Sequence, residues 1–553
     1  MKSKQLLCLV LVVFMLVIAG CANSGTPVAP SDVVESNPKP TEGTAPSSAP
    51  TTPDAAEPIR EYPIVTDGSI TLTYWVLLQP TAAKYITSYN ENTAYQKMQE
   101  VTGVNLEFIH PAIGQEKEQF NLLMASNELP DILTMAGTYK GGEFQGMRDG
   151  MFLDLTDKLP IYAPDYYESI QSNDEFFREV SDNDGRITAF CAYKPKGDPP
   201  HRRIIVREDV LAEIGSEIPK TTDDYEIMFQ KMLDAGITPF MLDKTGYEEQ
   251  FIGLFGIYAQ NNQFYKDENE KIQFGQIDPR FKDYLSLMNN WYNKGFISKD
   301  FTSVDVNQIN TLFDTKMVGT VVGPIVSNYN RAETQGFKVT SVPYPRLKEG
   351  DQLHYESTDI WPRQQFEETT AVITKDCKNP EAAIRFMNYG YTQEGADLMN
   401  WGTEGVNWDR VDGKRIYNNT MLKNEKFGTE EASYIYKMHF APKLVYPDTE
   451  CHANLLKSPG ALAIRFKWAD DPFIDSIHRL PPFQLDAEDQ TRRTEIMTDC
   501  NTYTNEMVLK FITGAESLDN FDEFVNMIQS MEINEAIELT QKAYDQYMTK
   551  ILE

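Results

Sequence analysis

The side chains best able to do chemistry in this sequence are aromatic rings set in loops. Of its 6 tryptophans, at 75, 291, 361, 401, 408 and 468, two fall in regular elements, where Trp75 and Trp291 read as core. Trp401 and Trp408 flank Glu404 in a glycine-containing loop, Gly402-Thr403-Glu404-Gly405. Two indoles and a carboxylate in a loop suit a ligand with an apolar face and hydroxyl edges, such as a saccharide ring. Trp361 lies in Asp359-Ile360-Trp361-Pro362-Arg363, a loop in which Arg363 adds a charged donor. Trp361 and Trp468 are open between core and ligand, and both are kept as candidates together with Gln79, which precedes Pro80.

Catalytic patterns are absent. There is no Gly-x-Ser-x-Gly elbow, no HExxH and no phosphate-cradling loop. The six histidines, at 110, 201, 354, 439, 452 and 478, are dispersed, whereas a zinc centre needs several converging imidazoles. With 82 aspartates and glutamates in the chain, a carboxylate pair spaced for glycoside hydrolysis arises by chance and decides nothing. A surface-anchored carbohydrate hydrolase stays as the alternative function, as does a binder of peptide or another polar solute. The net charge of −31 argues against nucleic acid and against direct adhesion to anionic headgroups.

The beginning of the chain sets its address. Lys2 and Lys4 precede an apolar run from Leu6 to Ala19, short of the roughly 20 residues a membrane-spanning helix needs. A basic start, a short apolar stretch and then small residues form a secretory signal. Ile18-Ala19-Gly20-Cys21 resembles a bacterial lipobox, which implies cleavage after residue 20 and acylation of Cys21. Ala22 to Glu61 contains no aromatic residue and eight prolines, a composition that cannot bury enough apolar surface to offset chain ordering. Residues 21–61 are therefore expected to be a tether. Of the remaining cysteines, Cys191, Cys377, Cys451 and Cys500 form no CxxC pair; buried thiols are favoured, with a disulfide left open.

The elements that must position the candidate residues alternate between strand and helix. Ile70, Leu72, Tyr74 and Val76 share one face of an extended run; Asn105 to Phe108 and Pro130 to Thr134 are further strands, with a helix around Glu116 to Ala125 between them. Such alternation predicts parallel β-α-β units and an α/β layer architecture. Thr221 and Asp224 form a capping-box pattern before the stripe Tyr225, Phe229, Met232, Leu233, and Gly236 ends that helix. Asn379-Pro380-Glu381 opens another. Phe521, Phe524, Val525, Ile528 and then Ile533, Ile537, Thr540, Tyr544, Tyr547 predict a helical C-terminal region.

In this order the segments resemble the family 1 extracellular solute-binding lipoproteins of bacterial ABC importers, in their large oligosaccharide-binding branch. The resemblance is carried by Thr73-Tyr74-Trp75-Val76, Thr102-Gly103-Val104, Pro130-Asp131-Ile132-Leu133, Phe152-Leu153-Asp154-Leu155-Thr156-Asp157, Asp184-Gly185-Arg186-Ile187, Arg207-Glu208-Asp209-Val210-Leu211, Gly402-Thr403-Glu404-Gly405, Lys510-Phe511-Ile512-Thr513-Gly514 and Ala543-Tyr544-Asp545. It implies a periplasmic-binding-protein-like fold of two α/β lobes, each built from separate segments, closing on an oligosaccharide. The protein would be a monomer that delivers its cargo to permease subunits, held at the membrane through its lipid only, and not an enzyme.

The expected division is residues 62–190 and 340–400 for the first lobe, and 191–339 and 401–553 for the second. The crossings fall near Ala189 to Ile205, Lys338 to Tyr344 and Trp401. The resemblance adds Thr138 and Tyr139, in the loop after the Pro130-Asp131 strand, as ligand contacts. It adds Tyr329 as a substitute for the aromatic residue that the family often has where Ile325 stands.

No cofactor and no metal are expected. The branch often carries a calcium loop after the helix that Pro219-Lys220-Thr221-Thr222 opens. Here Lys231-Met232-Leu233-Asp234-Ala235-Gly236 runs directly into Ile237-Thr238-Pro239-Phe240, with Asp234 as the one carboxylate, whereas calcium takes six to eight oxygens. The cluster Asp267-Glu268-Asn269-Glu270 lacks a glycine for the tight turn and reads as a hairpin tip.

Overall fold

The computed structural model describes residues 57–126, 128–194, 201–258, 264–354, 363, 370–438, 448, 451, 454–455, 459–468, 471 and 474–551. Cys21, residues 22–56 of the expected tether and Trp361 lie outside the described residues; residues 57–61, also expected in the tether, lie instead against the first lobe, where Ile59 donates to the carbonyl of Ile161 at 2.8 Å and Arg60 meets Asp165 at 2.7 Å. The strands in chain order are β1 (Thr71–Trp75), β2 (Asn105–Ile109), β3 (Ile132–Thr134), β4 (Ala189–Cys191), β5 (Arg202–Arg207), β6 (Thr238–Met241), β7 (Phe264–Lys266), β8 (Ile272–Phe274), β9 (Val318–Pro324), β10 (Val339–Ser341), β11 (Thr370–Ile373), β12 (Trp408–Val411) and β13 (Lys414–Tyr417). They form a five-stranded sheet in the order β2-β1-β3-β11-β4, a four-stranded sheet in the order β10-β5-β9-β6, and two hairpins, β7-β8 and β12-β13. Two sheets with helices packed against them and a helical C-terminal region agree with the α/β architecture read from the sequence.

The first sheet is parallel from β2 through β1 to β3, and β11 runs against both β3 and β4. Asp131, at the head of β3, explains the Pro-Asp pair: its Oδ2 accepts from the backbone N–H and the hydroxyl of Thr73 at 2.8 and 2.7 Å. One carboxylate thus fixes the register of β1 against β3. The core under this sheet takes Leu72, Tyr74, Trp75, Phe120, Leu133, Phe190 and Ile373, all buried. The second core holds Ile204, Phe229, Phe240, Trp291 and Val321, joined by Val508, Phe511, Phe524 and Ile533 of the C-terminal helices. Trp75 and Trp291 are core rings, as their places in a strand and a helix predict. The capping box at Thr221 and Asp224 is present, and the helix it opens spans Thr222–Asp234.

The lobe boundaries differ from the sequence expectation at two points. Val339–Ser341 pairs antiparallel with β5, and Val342, Tyr344 and Leu353 fill the second core. Residues 340–354 therefore belong to the second lobe, and the return crossing falls between His354 and Thr370. Likewise 401–438 stays with the first lobe: Tyr434, Ile435 and Met438 enter its core, and Asn92 Nδ2 donates to the carbonyls of Tyr434 and Lys437. The last crossing comes after Met438, not at Trp401. In each case the apolar residues that follow the expected boundary pack on the sheet they leave. Cys191, Cys377, Cys451 and Cys500 are free thiols. Among the described residues no helix is long and apolar enough to cross a membrane.

Candidate functional site

Topology determines which edges of the two sheets look at each other. The chain leaves the first sheet at the end of β4, enters β5, and comes back from β10 to the start of β11. Because β4 and β11 are antiparallel neighbours, both connections attach to one edge, the C-terminal end of β1, β3 and β4. In the second sheet the same reasoning selects the start of β5 and the ends of β6, β9 and β10. In open α/β sheets ligands bind outside the carboxyl ends of the strands. The gap between these two edges is the candidate site.

Several sequence candidates lie at that gap. Gln79 follows β1; its backbone N–H donates to the hydroxyl of Tyr89 at 3.1 Å. Thr138 closes the short helical turn Ala136–Thr138 after β3, and Met135 before it takes a left-handed φ of 63° that redirects the chain. Tyr139 follows, its ring edge-on to Phe152 and its hydroxyl donating to Asp149 at 2.8 Å. Tyr329 stands in the helix Ile325–Gln335 that begins where β9 ends. Its hydroxyl occupies the space a Cβ on Gly460 would need, 1.9 Å away, which is why a glycine stands there. Ile325 itself is fully buried in the second core. Trp468 donates its indole N–H to the carbonyl of Ser341 at 3.0 Å, at the end of β10.

Arg363 is in the return crossing, where it pairs across a β-bridge with Tyr193. Its Nη2 meets Glu143 at 2.8 Å, Nη1 donates to the carbonyl of Glu179, and Nη2 also reaches Thr370. Glu143 is fully buried; burial raises its pKa, and the facing Arg363 outweighs that and leaves it below the usual glutamate value. This arginine braces the crossing from within the first lobe.

Trp401, Trp408 and Glu404 are arranged otherwise than the sequence suggests. Both indoles are buried in a small core of their own with Tyr417, Met421, Ala432, Cys451 and Leu455. Trp408 opens the β12-β13 hairpin and donates to the carbonyl of Gly402 at 3.0 Å. Glu404 is exposed, 3.7 Å from Arg410. The Gly-Thr-Glu-Gly turn caps a packed pair of rings.

On the second-lobe side of the gap, sequence reasoning found Tyr329 and Trp468 but missed three buried polar residues. Glu248 and Gln250 follow β6, both buried, and Gln250 Oε1 accepts from the N–H of Ile204 at 3.3 Å. Burial, reinforced by neighbouring Glu249, pushes the Glu248 carboxyl up to about 8. Its Oε1 accepts from the backbone N–H of Gln250 at 3.4 Å. Arg203, on β5, is fully buried with its guanidinium 4.1 Å over the ring of Tyr344; Nη2 donates to the carbonyl of Trp468, while Nε and Nη1 have no hydrogen-bond acceptor among the described residues. No local motif marks these residues, because each is brought to the gap by contacts distant in the chain.

After the Thr222–Asp234 helix, the chain turns through Gly236, at φ +75°, and Ile237 donates back to Met232 at 2.9 Å before β6 begins. The turn is too short for a cation loop. Asp267 caps the β7-β8 hairpin tip, accepting from the N–H groups of Asn269 and Lys271. Among the described residues no three aspartate, glutamate, histidine or cysteine side chains are grouped to hold a metal. The polar side chains at the gap suit a solute rich in hydrogen-bonding groups.

Comparison with known proteins gives the same architecture. The model of the family described as bacterial extracellular solute-binding protein matches residues 80–397. The fructooligosaccharide ABC transporter substrate-binding protein FusA of Streptococcus pneumoniae is 20% identical over 480 residues, which cover 83% of this chain and 87% of that protein. The polygalacturonan/rhamnogalacturonan-binding protein YtcQ of Bacillus subtilis is 21% identical over 340 residues, covering 59% and 65%. The crystal structure of alginate-binding protein AlgQ2 without calcium ion has a TM-score of 0.65 at 21% identity, covering 88% of this chain and all of that one. FusA in complex with kestose has a TM-score of 0.66 at 18% identity, covering 86% and 99%.

Proposed function

The chain belongs to the bacterial extracellular solute-binding proteins, and from that premise we propose that it captures an oligosaccharide between its two lobes and hands it to an ABC importer. The observation that carries this reading is the pair of facing sheet edges, with Gln79, Thr138 and Tyr139 on one side and Tyr329, Glu248 and Gln250 on the other. The named ligands of relatives that span most of the chain, a fructooligosaccharide and kestose, support a saccharide over a peptide. Ligand binds the closed arrangement better, and the lobe population shifts by that difference in affinity. The protein binds and releases its cargo unchanged.

The protein works on the extracytoplasmic face, as a monomer facing the permease subunits of the importer. Its anchor is the acylated Cys21, supported by the apolar run Leu6 to Ala19 and by Ile18-Ala19-Gly20 before the cysteine. Acyl chains contribute about 0.8 kcal/mol per buried methylene, so two or more hold firmly. Cell fractionation of Cys21→Ala checks this: the variant is expected in the medium, and one as membrane-bound as the parent refutes the anchor. Calorimetric titration with a panel of oligosaccharides and oligopeptides tests the ligand class. Saccharide binding is expected; binding of peptides alone would replace the reading.

A further inference from the structure

Between the helix Ala487–Thr513 and the segment 479–483, the second lobe holds a cavity of about 510 Å³, within the range of small-ligand sites. Its described lining combines three kinds of group. Tyr258, Phe264 and Phe483 supply ring surface, Thr494 and Thr498 supply hydroxyls, and Arg493 and Asn501 face in from the same helix.

Arg493 is unusual in this protein. Its neighbour Arg492 is paired with Glu532 at 2.7 Å and Glu535 at 2.6 Å. Of the buried arginines, Arg207 and Arg346 likewise meet carboxylates, Asp209 and Asp471, whereas Arg203 lies over the Tyr344 ring. Arg493 is half-buried and touches only neutral acceptors, Thr540 Oγ1 and Gln490 Oε1, both at 3.3 Å, with Phe264 5.8 Å away. Burial lowers its pKa and no carboxylate raises it back. In a chain carrying 82 acidic and 51 basic side chains, a guanidinium kept clear of carboxylates is a local reversal of the field. Two helical turns on, Asn501 Oδ1 is buried and has no donor among the described residues. A cavity with an unneutralised fork donor, an orphan acceptor and flat rings is complementary to a ligand with a carboxylate, a hydroxyl and an apolar ring face.

We propose that this cavity binds an acidic sugar: a uronate unit whose carboxylate pairs with Arg493, whose ring lies against the aromatic lining and one of whose hydroxyls donates to Asn501. The proposal rests on the reading of the chain as a saccharide binder and adds the charge of the saccharide. It is tested by calorimetry on the full folded chain with digalacturonate and with its neutral counterpart, galactobiose. Digalacturonate is expected to bind at least tenfold more tightly. Arg493→Gln is expected to bring digalacturonate down to the affinity of galactobiose, while leaving galactobiose binding and the melting temperature unchanged. Arg493→Lys, which keeps the charge without the fork, falls between. Should R493Q melt early, Asn501→Leu carries the test, with a several-fold loss for digalacturonate expected. Equal binding of the two disaccharides by the parent, or undiminished digalacturonate binding by R493Q or by N501L in the case where it stands in, overturns the proposal. If a neutral oligosaccharide binds with lobe closure and digalacturonate does not bind at millimolar concentration, the proposal falls and the solute-binding reading stands. If no saccharide of either class binds, both fall.

Discussion

Trp401 and Trp408 meet at 60° with ring centroids 6.1 Å apart, sealed in a core of their own, and Trp401 donates its indole N–H to Asp448 at 2.6 Å. Tyr417 lies against Trp401 at a tilt of 34°, with ring centroids 4.9 Å apart. These rings stabilise the β12-β13 hairpin and the segment that follows it. Trp401→Ala is expected to cost about 3–5 kcal/mol in chemical denaturation with oligosaccharide affinity changed less than threefold. A variant of parental stability that had lost its ligand would return Trp401 to the binding site.

Glu248 makes stability depend on pH. Its carboxyl is raised to about 8 in the folded protein, from the ordinary 4.5. Between those values the native state holds a proton that the unfolded chain gives up, so rising pH removes stability across that window, by at most about 1.4 kcal/mol per unit. Glu248→Gln keeps the shape and removes the titration. Denaturation midpoints near pH 5, 6.5 and 8 should show the variant gaining on the parent as pH rises. Parallel curves would place an ordinary carboxylate at 248.

Lys550 ties the end of the last helix to the first lobe. Its Nζ donates to the carbonyls of Arg178, at 3.0 Å, and Ser181, and Arg178 Nε donates back to the Lys550 carbonyl at 3.2 Å. Burial brings its pKa down to about 8. Above that value the folded chain releases a proton that the unfolded chain keeps up to about 10.5, so this group raises stability as pH climbs through the interval. Lys550→Ala should lower the unfolding free energy by about 1.5–3 kcal/mol and flatten that alkaline gain. Unchanged stability would mean the contact is not made in solution.

Calcium should be without effect. The helix Thr222–Asp234 passes into β6 through Ala235, Gly236 and Ile237, which leaves no loop to gather oxygens. Melts with excess calcium and with chelator are expected to coincide. A ligand at 100 times its Kd stabilises by about 2.7 kcal/mol, so a clear rise at micromolar calcium would reveal a site.

Much of this fold is legible locally. The alternation in Thr71–Trp75, the box at Thr221 and Asp224, and the apolar faces of Phe521–Ser530 and Ile533–Met548 are short-range patterns, and each element formed where its pattern lies. The lobe boundaries were less legible because they depend on which sheet captures a strand. Nothing within Val339–Ser341 says that its partner is β5 rather than a strand of the first sheet. The site divides in the same way. Gln79, Thr138 and Tyr139 follow strands whose ends are readable. Trp401 and Trp408 misled because a glycine-rich turn around an indole looks alike whether the ring faces ligand or a small core.

Capture of an intact oligosaccharide by closure of two lobes can be followed by small-angle scattering during an oligosaccharide titration. The radius of gyration is expected to fall and to saturate with the calorimetric binding curve, with the sugar recovered unaltered by chromatography. Binding without compaction would contradict the site between the lobes. Release of shortened sugars by the purified protein would contradict the reading as a binding protein altogether.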